Sequence, residues 1–284
     1  MTPETIFDCQ LEWEGTSFGD QLASRADWRL ADGLEAAGQI TPAQALMASC
    51  NPFFYESGAR LFNEVGAGTL DEYARRMGLG QVYRVNESLQ GIAGTLGNPP
   101  SVTAAINNAI GQDPVQLPPI QMAVATAAIA NGGTVYDPFI VQQIGGYENA
   151  PVQQTIEPQV LSTLDFNPGV METIQQGMCG VPIDENYGTA TWVFEGATYS
   201  VCGKTGTAQS GTYPNAWFVA YSPAQNPEVA IVVTVPQSRE GSEIAAPIVR
   251  RILDDYYGAQ RAEFPEFWLE EYVPLNIPEG STAG

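Results

Sequence analysis

The chain of 284 residues contains no histidine and one lysine, Lys204; its other ten basic residues are arginines. Without histidine there is no Ser-His-Asp or Cys-His arrangement and no imidazole to ligate a metal. No uninterrupted apolar run reaches about 18 residues, the length a membrane-spanning helix needs. Met1–Cys9 has neither a basic start nor an apolar stretch, so it does not read as a signal peptide. That leaves a cytoplasmic chain, or one whose targeting sequence precedes Met1. Four cysteines stand at Cys9, Cys50, Cys179 and Cys202, with no C-x-x-C pair to mark a zinc or dithiol motif. One or two disulfides are open to them in an oxidising compartment, with Cys179–Cys202 the first pairing to test. The alternative is four small buried thiols. The sequence points to no metal and no cofactor.

Scarcity of bases also sets the charge. Thirty-two acidic and 11 basic residues give −21, a surface that repels nucleic acid and anionic lipid. With 44% hydrophobic residues, the chain can bury the core of one large domain.

Residues 1–40 are poorly periodic. Thr41-Pro42-Ala43-Gln44 then carries the signature of a helix start, with Thr as cap, Pro at the first position and Gln three after the cap. A second helix is expected from Pro52 to about Val65. Thr69-Leu70-Asp71-Glu72 repeats the capping-box pattern and opens a helix through Arg76, stopped by Gly78 and Gly80. Ser101–Ile110 and Pro119–Ala130 read as two more, the last closed by Asn131-Gly132-Gly133. Beyond these, Tyr136–Glu157 reads as a hairpin around Gly145-Gly146, and Pro168–Met178 as a helix. Tyr199–Ala208, Ala216–Ser222 and Val229–Val235 read as strands with short antiparallel connections. Glu243–Tyr257 has a helical apolar stripe. The expected class is α+β: a helical part over about residues 31–133, an α/β part over about 134–258, and a C-terminal tail, 259–284, whose aromatics either dock or stay loose. Asn86-Glu87-Ser88 matches a glycosylation sequon and reads as a turn. Asp184 and Glu185 read as a solvated loop rather than paired catalytic acids.

Two short motifs carry chemistry. Gly203-Lys204-Thr205-Gly206-Thr207 places an ammonium and two hydroxyls on a strand edge, with Gly206 permitting close backbone approach. Thr205 and Thr207 can donate to a carboxylate in the field of Lys204. The competing reading is an exposed strand with a solvated lysine. Ser49-Cys50-Asn51, at a helix–helix junction, can aim a hydroxyl and an amide into one cleft. Alone it reads better as a cap, with Asn51 before Pro52 an ordinary N-cap.

Together with S-x-x-K, these motifs form the set of serine β-lactamases and penicillin-binding proteins. The context agrees. Ala45–Phe54 resembles the S-x-N region of monofunctional, class B-like penicillin-binding proteins. Ile110-Gly111-Gln112, Pro119–Ala123 and Ile129–Gly133 resemble the helix pair that follows it. Gly177-Met178, Gly188-Thr189-Ala190, Gly203–Gln209 and Ala216–Tyr221 resemble the K-T-G strand, the stretch before it and its neighbour. Order and spacing agree from about residue 2 to 258, so the chain resembles a transpeptidase domain of this family.

The resemblance implies a transpeptidase-like α+β fold, with an incomplete antiparallel sheet and a C-terminal helix. It implies acyl transfer on D-Ala-D-Ala stem peptides of peptidoglycan, β-lactams as mimics, possible cell-wall synthesis partners, and a place on the outer face of the bacterial plasma membrane. By resemblance Ser49, Asn51 and Lys204 are catalytic: Ser49 relays a proton, Asn51 holds the substrate amide and Lys204 tunes Ser49. Thr205, Gly206 and Thr207 bind substrate. The nucleophile is missing. Lys204 is the only lysine and residue 201 is valine, so the sequence contains no S-x-x-K. The chain therefore reads as a partial domain, 1–258, beginning just after that motif and without two strands that precede it. Alone it is expected to be marginally stable or completed by another segment, and inactive toward penicillin. The rival functions are a non-catalytic peptide- or protein-binding descendant and, less well supported, a β-lactamase or β-lactam sensor.

Overall fold

The computed structural model describes residues 2–84, 90–112, 114–146 and 151–270. The Asn86-Glu87-Ser88 triplet and the end of the tail, 271–284, lie outside the described residues.

The aperiodic first forty residues form short ribbons: β1 (Phe7–Cys9), β2 (Glu12–Trp13), β3 (Arg25–Ala26), the helical turn α1 (Trp28–Ala31) and β4 (Gly38–Ile40). β1 pairs with β4, and β2 with β3. The helix α2 (Pro42–Met47) begins as its cap chemistry dictates. Gln44 N donates to Thr41 Oγ1 at 3.3 Å and Thr41 N to Gln44 Oε1 at 2.9 Å. Next comes α3 (Asn51–Arg60), which widens into a π turn over Leu61–Val65. Its cap is not Asn51, as the local pattern implied, but Cys50, whose Sγ accepts from Phe53 N at 3.4 Å; Asn51 is already helical. In α4 (Thr69–Arg76) the cap is Gly68, with no side-chain bond. Thr69 lies inside the first turn, where its hydroxyl cannot reach back as a capping box requires.

The helices α5 (Val102–Ala109), capped by Ser101, and α6 (Pro119–Ala130) follow the pattern of the sequence. The expected hairpin becomes two ribbons. Its inner pair is β6 (Gln143–Gly145) with β7 (Val152–Thr155), while β5 (Thr134–Tyr136) reaches past it to β8 (Val160–Thr163). The rest comprises α7 (Val170–Gly180), α8 (Thr191–Phe194), β9 (Cys202–Ala208), β10 (Asn215–Ser222), β11 (Val229–Val235), α9 (Ala245–Tyr256) and α10 (Phe267–Glu270).

Strands β9, β10 and β11 form an antiparallel sheet in the order β11-β10-β9. Strand alternation divides β10 between two layers. Ala216, Phe218 and Ala220 pack with Ala245, Val249 and Leu253 of α9, one turn apart on that helix. Tyr221 packs on Met178 of α7, with Ile129 of α6 against the same cluster. Each buried Phe, Val or Leu here contributes roughly 1.5–3 kcal/mol. α2 crosses α7 so closely that a Cβ on Gly177 would meet Leu46 Cβ at 2.8 Å. This contact brings the C-terminal end of α2 to the sheet. The first part of the tail docks: Phe264 stacks on Trp268, and Trp268 Nε1 donates to Glu243 O at 3.0 Å. Among the described residues no helix is long and apolar enough to cross a membrane.

All four cysteines are paired. Cys179–Cys202 is the pairing the sequence favoured; Cys9–Cys50 joins β1 to the start of α3. The alternative of free buried thiols does not hold.

Candidate active site

The two motif segments meet. Lys204 lies opposite Val219 on β10, so its side chain shares the sheet face of Tyr221 and points toward the helices. Lys204 Nζ donates to Ser49 Oγ at 2.9 Å, across 155 positions of sequence, and to Thr205 O at 2.9 Å. Burial first, and then the positive charge of Arg29, lower the Lys204 pKa to about 8. The solvated-lysine reading therefore fails.

Ser49 owes its position to the way α2 ends. Cys50 N donates to Ala45 O at 3.0 Å and Ser49 N to Leu46 O at 3.2 Å. These paired bonds form a Schellman motif, whose left-handed position is usually glycine. Here it is Ser49, at φ +49°. A non-glycine residue in this region costs about 1–3 kcal/mol, and such positions cluster at functional sites. Asn51 begins the next helix two residues later, half-buried beside the same junction.

The junction is held by groups that the motifs do not include. Asp27 Oδ2 accepts from Asn51 N at 2.9 Å, and its Oδ1 from Arg29 Nη1 at 3.0 Å. Arg29 Nη2 donates to Ala48 O at 2.8 Å, and Trp28 Nε1 to the same carbonyl at 3.1 Å. Asp27 and Arg29 fall in the aperiodic first forty residues, and their only sequence signal is that arginine is rare in this chain.

β9 forms one edge of the sheet. Its Thr205 Oγ1 lies 2.8 Å from Thr189 Oγ1. Exposed Thr207 accepts from Gly241 N at Oγ1, at 3.4 Å, and from Gln112 Nε2 at its carbonyl, at 3.4 Å. A Cβ on Gly206 would meet Trp217 Cβ at 3.1 Å. Ser49, Asn51, Lys204, Thr205, Gly206 and Thr207 thus lie along one α2–β9 junction. Thr189 and Gln112, which lie in segments that carried the resemblance without an assigned role, join them as neighbours, and so does Gly241, which no motif included. Asp184 and Glu185 do not: Asp184 Oδ1 accepts from Asn186 N at 3.0 Å and Tyr187 N at 2.9 Å, a turn within its own loop. Nor do Cys9, Asp27 and Cys50, which lie close together, offer metal ligands. Their sulfurs are spent in a disulfide and the carboxylate in hydrogen bonds.

Residues 3–254 match the penicillin binding protein transpeptidase domain family. The chain is 33% identical over 222 residues to the peptidoglycan D,D-transpeptidase PbpA of Mycobacterium tuberculosis, covering 74% of this chain and 43% of that protein. It is 31% identical over 189 residues to the peptidoglycan D,D-transpeptidase MrdA of Haemophilus influenzae, covering 61% and 27%. The chain therefore spans less than half the length of these curated relatives. Among solved structures, the ceftriaxone acyl-enzyme complex of M. tuberculosis penicillin-binding protein A superposes with a TM-score of 0.74 at 28% identity, over 89% of this chain and 56% of that one. The match runs through both motif segments, and the fold joins those segments at the Lys204–Ser49 contact. The chain belongs to the penicillin-binding protein transpeptidase domain family.

Proposed function

We propose that this chain carries the S-x-N and K-T-G side of a peptidoglycan D,D-transpeptidase site, which cross-links stem peptides through an acyl-enzyme. The observation that supports this best is the 2.9 Å contact between Lys204 Nζ and Ser49 Oγ. In this reading Lys204 passes a proton to Ser49 while the Ser49 hydroxyl gives its own to the leaving amine. A lysine titrating near 8 suits that task, because about a tenth of it is already neutral at pH 7. Asn51 holds the substrate amide. Thr205 and Thr207 bind the terminal carboxylate, Gly206 admits the peptide backbone, and the Thr207 N–H is half of the oxyanion hole. The helical part 31–133 and the α/β part 134–258 supply the two sides of the cleft. β-Lactams, which acylate the M. tuberculosis relative, are ligands of the same site. The site faces outward from the bacterial plasma membrane and serves cell-wall synthesis proteins as partners.

Because the sequence has no S-x-x-K, the attacking serine and its lysine are not among these 284 residues. That favours a second reading, a non-catalytic binder of the same peptide. One experiment tests both. N-acyl-D-Ala-D-Ala is titrated into the chain and followed through the amides of β9, alongside labelling with fluorescent penicillin. The expected result is saturable binding, weakened about tenfold for each hydroxyl lost in Thr205→Val and Thr207→Val, with no covalent penicillin band. Affinity unchanged in the double variant removes the carboxylate site. A covalent band lost on substituting a serine of this chain overturns the assignment of the nucleophile.

A further inference from the structure

One buried ion pair holds the backbone on both sides of Ser49. Asp27 is 1% exposed and Arg29 7%. The carboxylate binds the N–H of Asn51 at 2.9 Å, and the guanidinium binds the carbonyl of Ala48 at 2.8 Å. These two backbone groups are the orphans left where α2 ends and α3 begins. Water or a neutral cap would satisfy them. A buried ion pair is an expensive substitute, because both charges must leave water. Its placement is also specific: Arg29 is the charged group that acts on Lys204. The other groups facing Nζ are the Ser49 hydroxyl and the Thr205 carbonyl and hydroxyl, none of them charged, while Asp27 faces Arg29.

We infer that Asp27 and Arg29 are positioning residues for the Ser49–Lys204 contact, fixing the backbone before and after Ser49 and setting where its hydroxyl meets the amine. The inference rests on reading that contact as the proton relay. It predicts that the pair controls the titration of Lys204, which a passive structural role would leave alone, together with the protection of the Asn51 amide.

Lys204 is the only lysine, so 13C-lysine labelling gives a single Cε resonance whose pH titration reads one amine. In the wild-type chain the expected midpoint is about 8. In Arg29→Met the lost charge and the loosened Ser49 turn both favour the ammonium, moving the midpoint up by about half a unit or more. Arg29→Lys, which keeps the charge and adds a second lysine resonance to be assigned apart from that of Lys204, holds the Lys204 midpoint low. Asp27→Asn keeps the volume but weakens the acceptor for Asn51 N–H, whose hydrogen exchange accelerates about tenfold or more while Ala45 within α2 and Ala48 at its C-cap keep their rates. A folded Arg29→Met chain with the wild-type midpoint overturns the inference. Should that variant not fold, Asp27→Asn decides: unchanged exchange at Asn51 and an unchanged midpoint overturn it equally. A wild-type midpoint near the ordinary lysine value of about 10.4 sinks the relay reading itself, rather than the positioning pair alone.

Discussion

A lysine held near pKa 8 has a consequence for stability as well as for chemistry. In the unfolded chain Lys204 titrates near its ordinary value of about 10.4, whereas in the folded chain it titrates near 8. Between these values the unfolded state binds more protons, so stability rises with pH there. Below pH 8 the ammonium is charged in both states, and burying it costs stability that is recovered as pH climbs from 8 toward 10.4. A shift of more than two units corresponds to about 3 kcal/mol at full extent. The side chain keeps partial exposure, so solvent screening reduces this, and we expect about 1–2 kcal/mol between pH 7 and 10. Two buried tyrosines and the half-buried Tyr199 act in the opposite sense at higher pH. Burial raises Tyr83 and Tyr221 to about 12 and Tyr199 still higher, so stability falls once the unfolded tyrosines ionise above about pH 10. The chain's net charge also grows more negative with pH. Comparison with Lys204→Met removes both effects. Urea unfolding of wild type and variant is measured at pH 7, 8, 9 and 10. The variant should be the more stable at pH 7, and the difference should shrink steadily toward pH 10. A difference independent of pH over that range refutes the depressed lysine, and with it the account of Lys204 as a partly buried, easily deprotonated amine.

Two further outcomes follow from the packing. Asp254 is fully buried; it accepts from Arg250 Nε at 2.9 Å and Tyr199 OH at 2.9 Å, so Asp254→Ala strands the Arg250 charge and should cost about 3–5 kcal/mol in urea unfolding. A loss under about 1 kcal/mol would show that the guanidinium finds water or another partner. Reducing the disulfides should lower stability by up to about 4 kcal/mol for Cys9–Cys50 and about 3 kcal/mol for Cys179–Cys202, from the 41- and 23-residue separations they close. Serine pairs at each bridge, melted with and without reductant, separate the two contributions.

What could be read in the sequence was what local chemistry determines. Thr41 and Gln44 cap each other within one turn, so α2 was legible from four residues. Strands β10 and β11 are short apolar runs with turn residues between them, and they were legible too. Failures arose where a local pattern met a non-local competitor. Thr69 carries the letters of a capping box, yet the cap is one residue earlier, at Gly68, and Thr69 is already helical. Gly145-Gly146 does end a hairpin strand, but β5 passes beyond it to pair with β8, a choice the segment alone cannot encode. The Cys9–Cys50 bridge joins residues 41 apart and follows no spacing rule. Asp27 and Arg29 were invisible for the same reason. They lie in a stretch without periodicity, and their value depends on α1 docking against the end of α2.

The candidate site stands out on energetic grounds that its motifs alone do not convey. Three unfavourable features converge on one contact. Ser49 occupies a left-handed position where glycine is favoured. Lys204 is drawn out of water far enough to lower its pKa. Asp27 and Arg29 bury opposite charges to hold two backbone groups that a neutral cap would satisfy. Each would be relieved by a simple substitution, glycine at 49, an apolar residue at 204, or an uncharged pair at 27 and 29. A chain shaped by stability alone has no reason to place all three at one junction, since local preference and global fold ordinarily agree. Their coincidence is explained by the hydroxyl–amine pair itself. A hydroxyl is needed at that backbone position, an amine must meet it with an easily transferred proton, and the surrounding charges must keep both in place. Ser49-x-Asn51 and Lys204-Thr205-Gly206 are therefore recognisable twice over, once as letters and once as the place where the structure gives up stability.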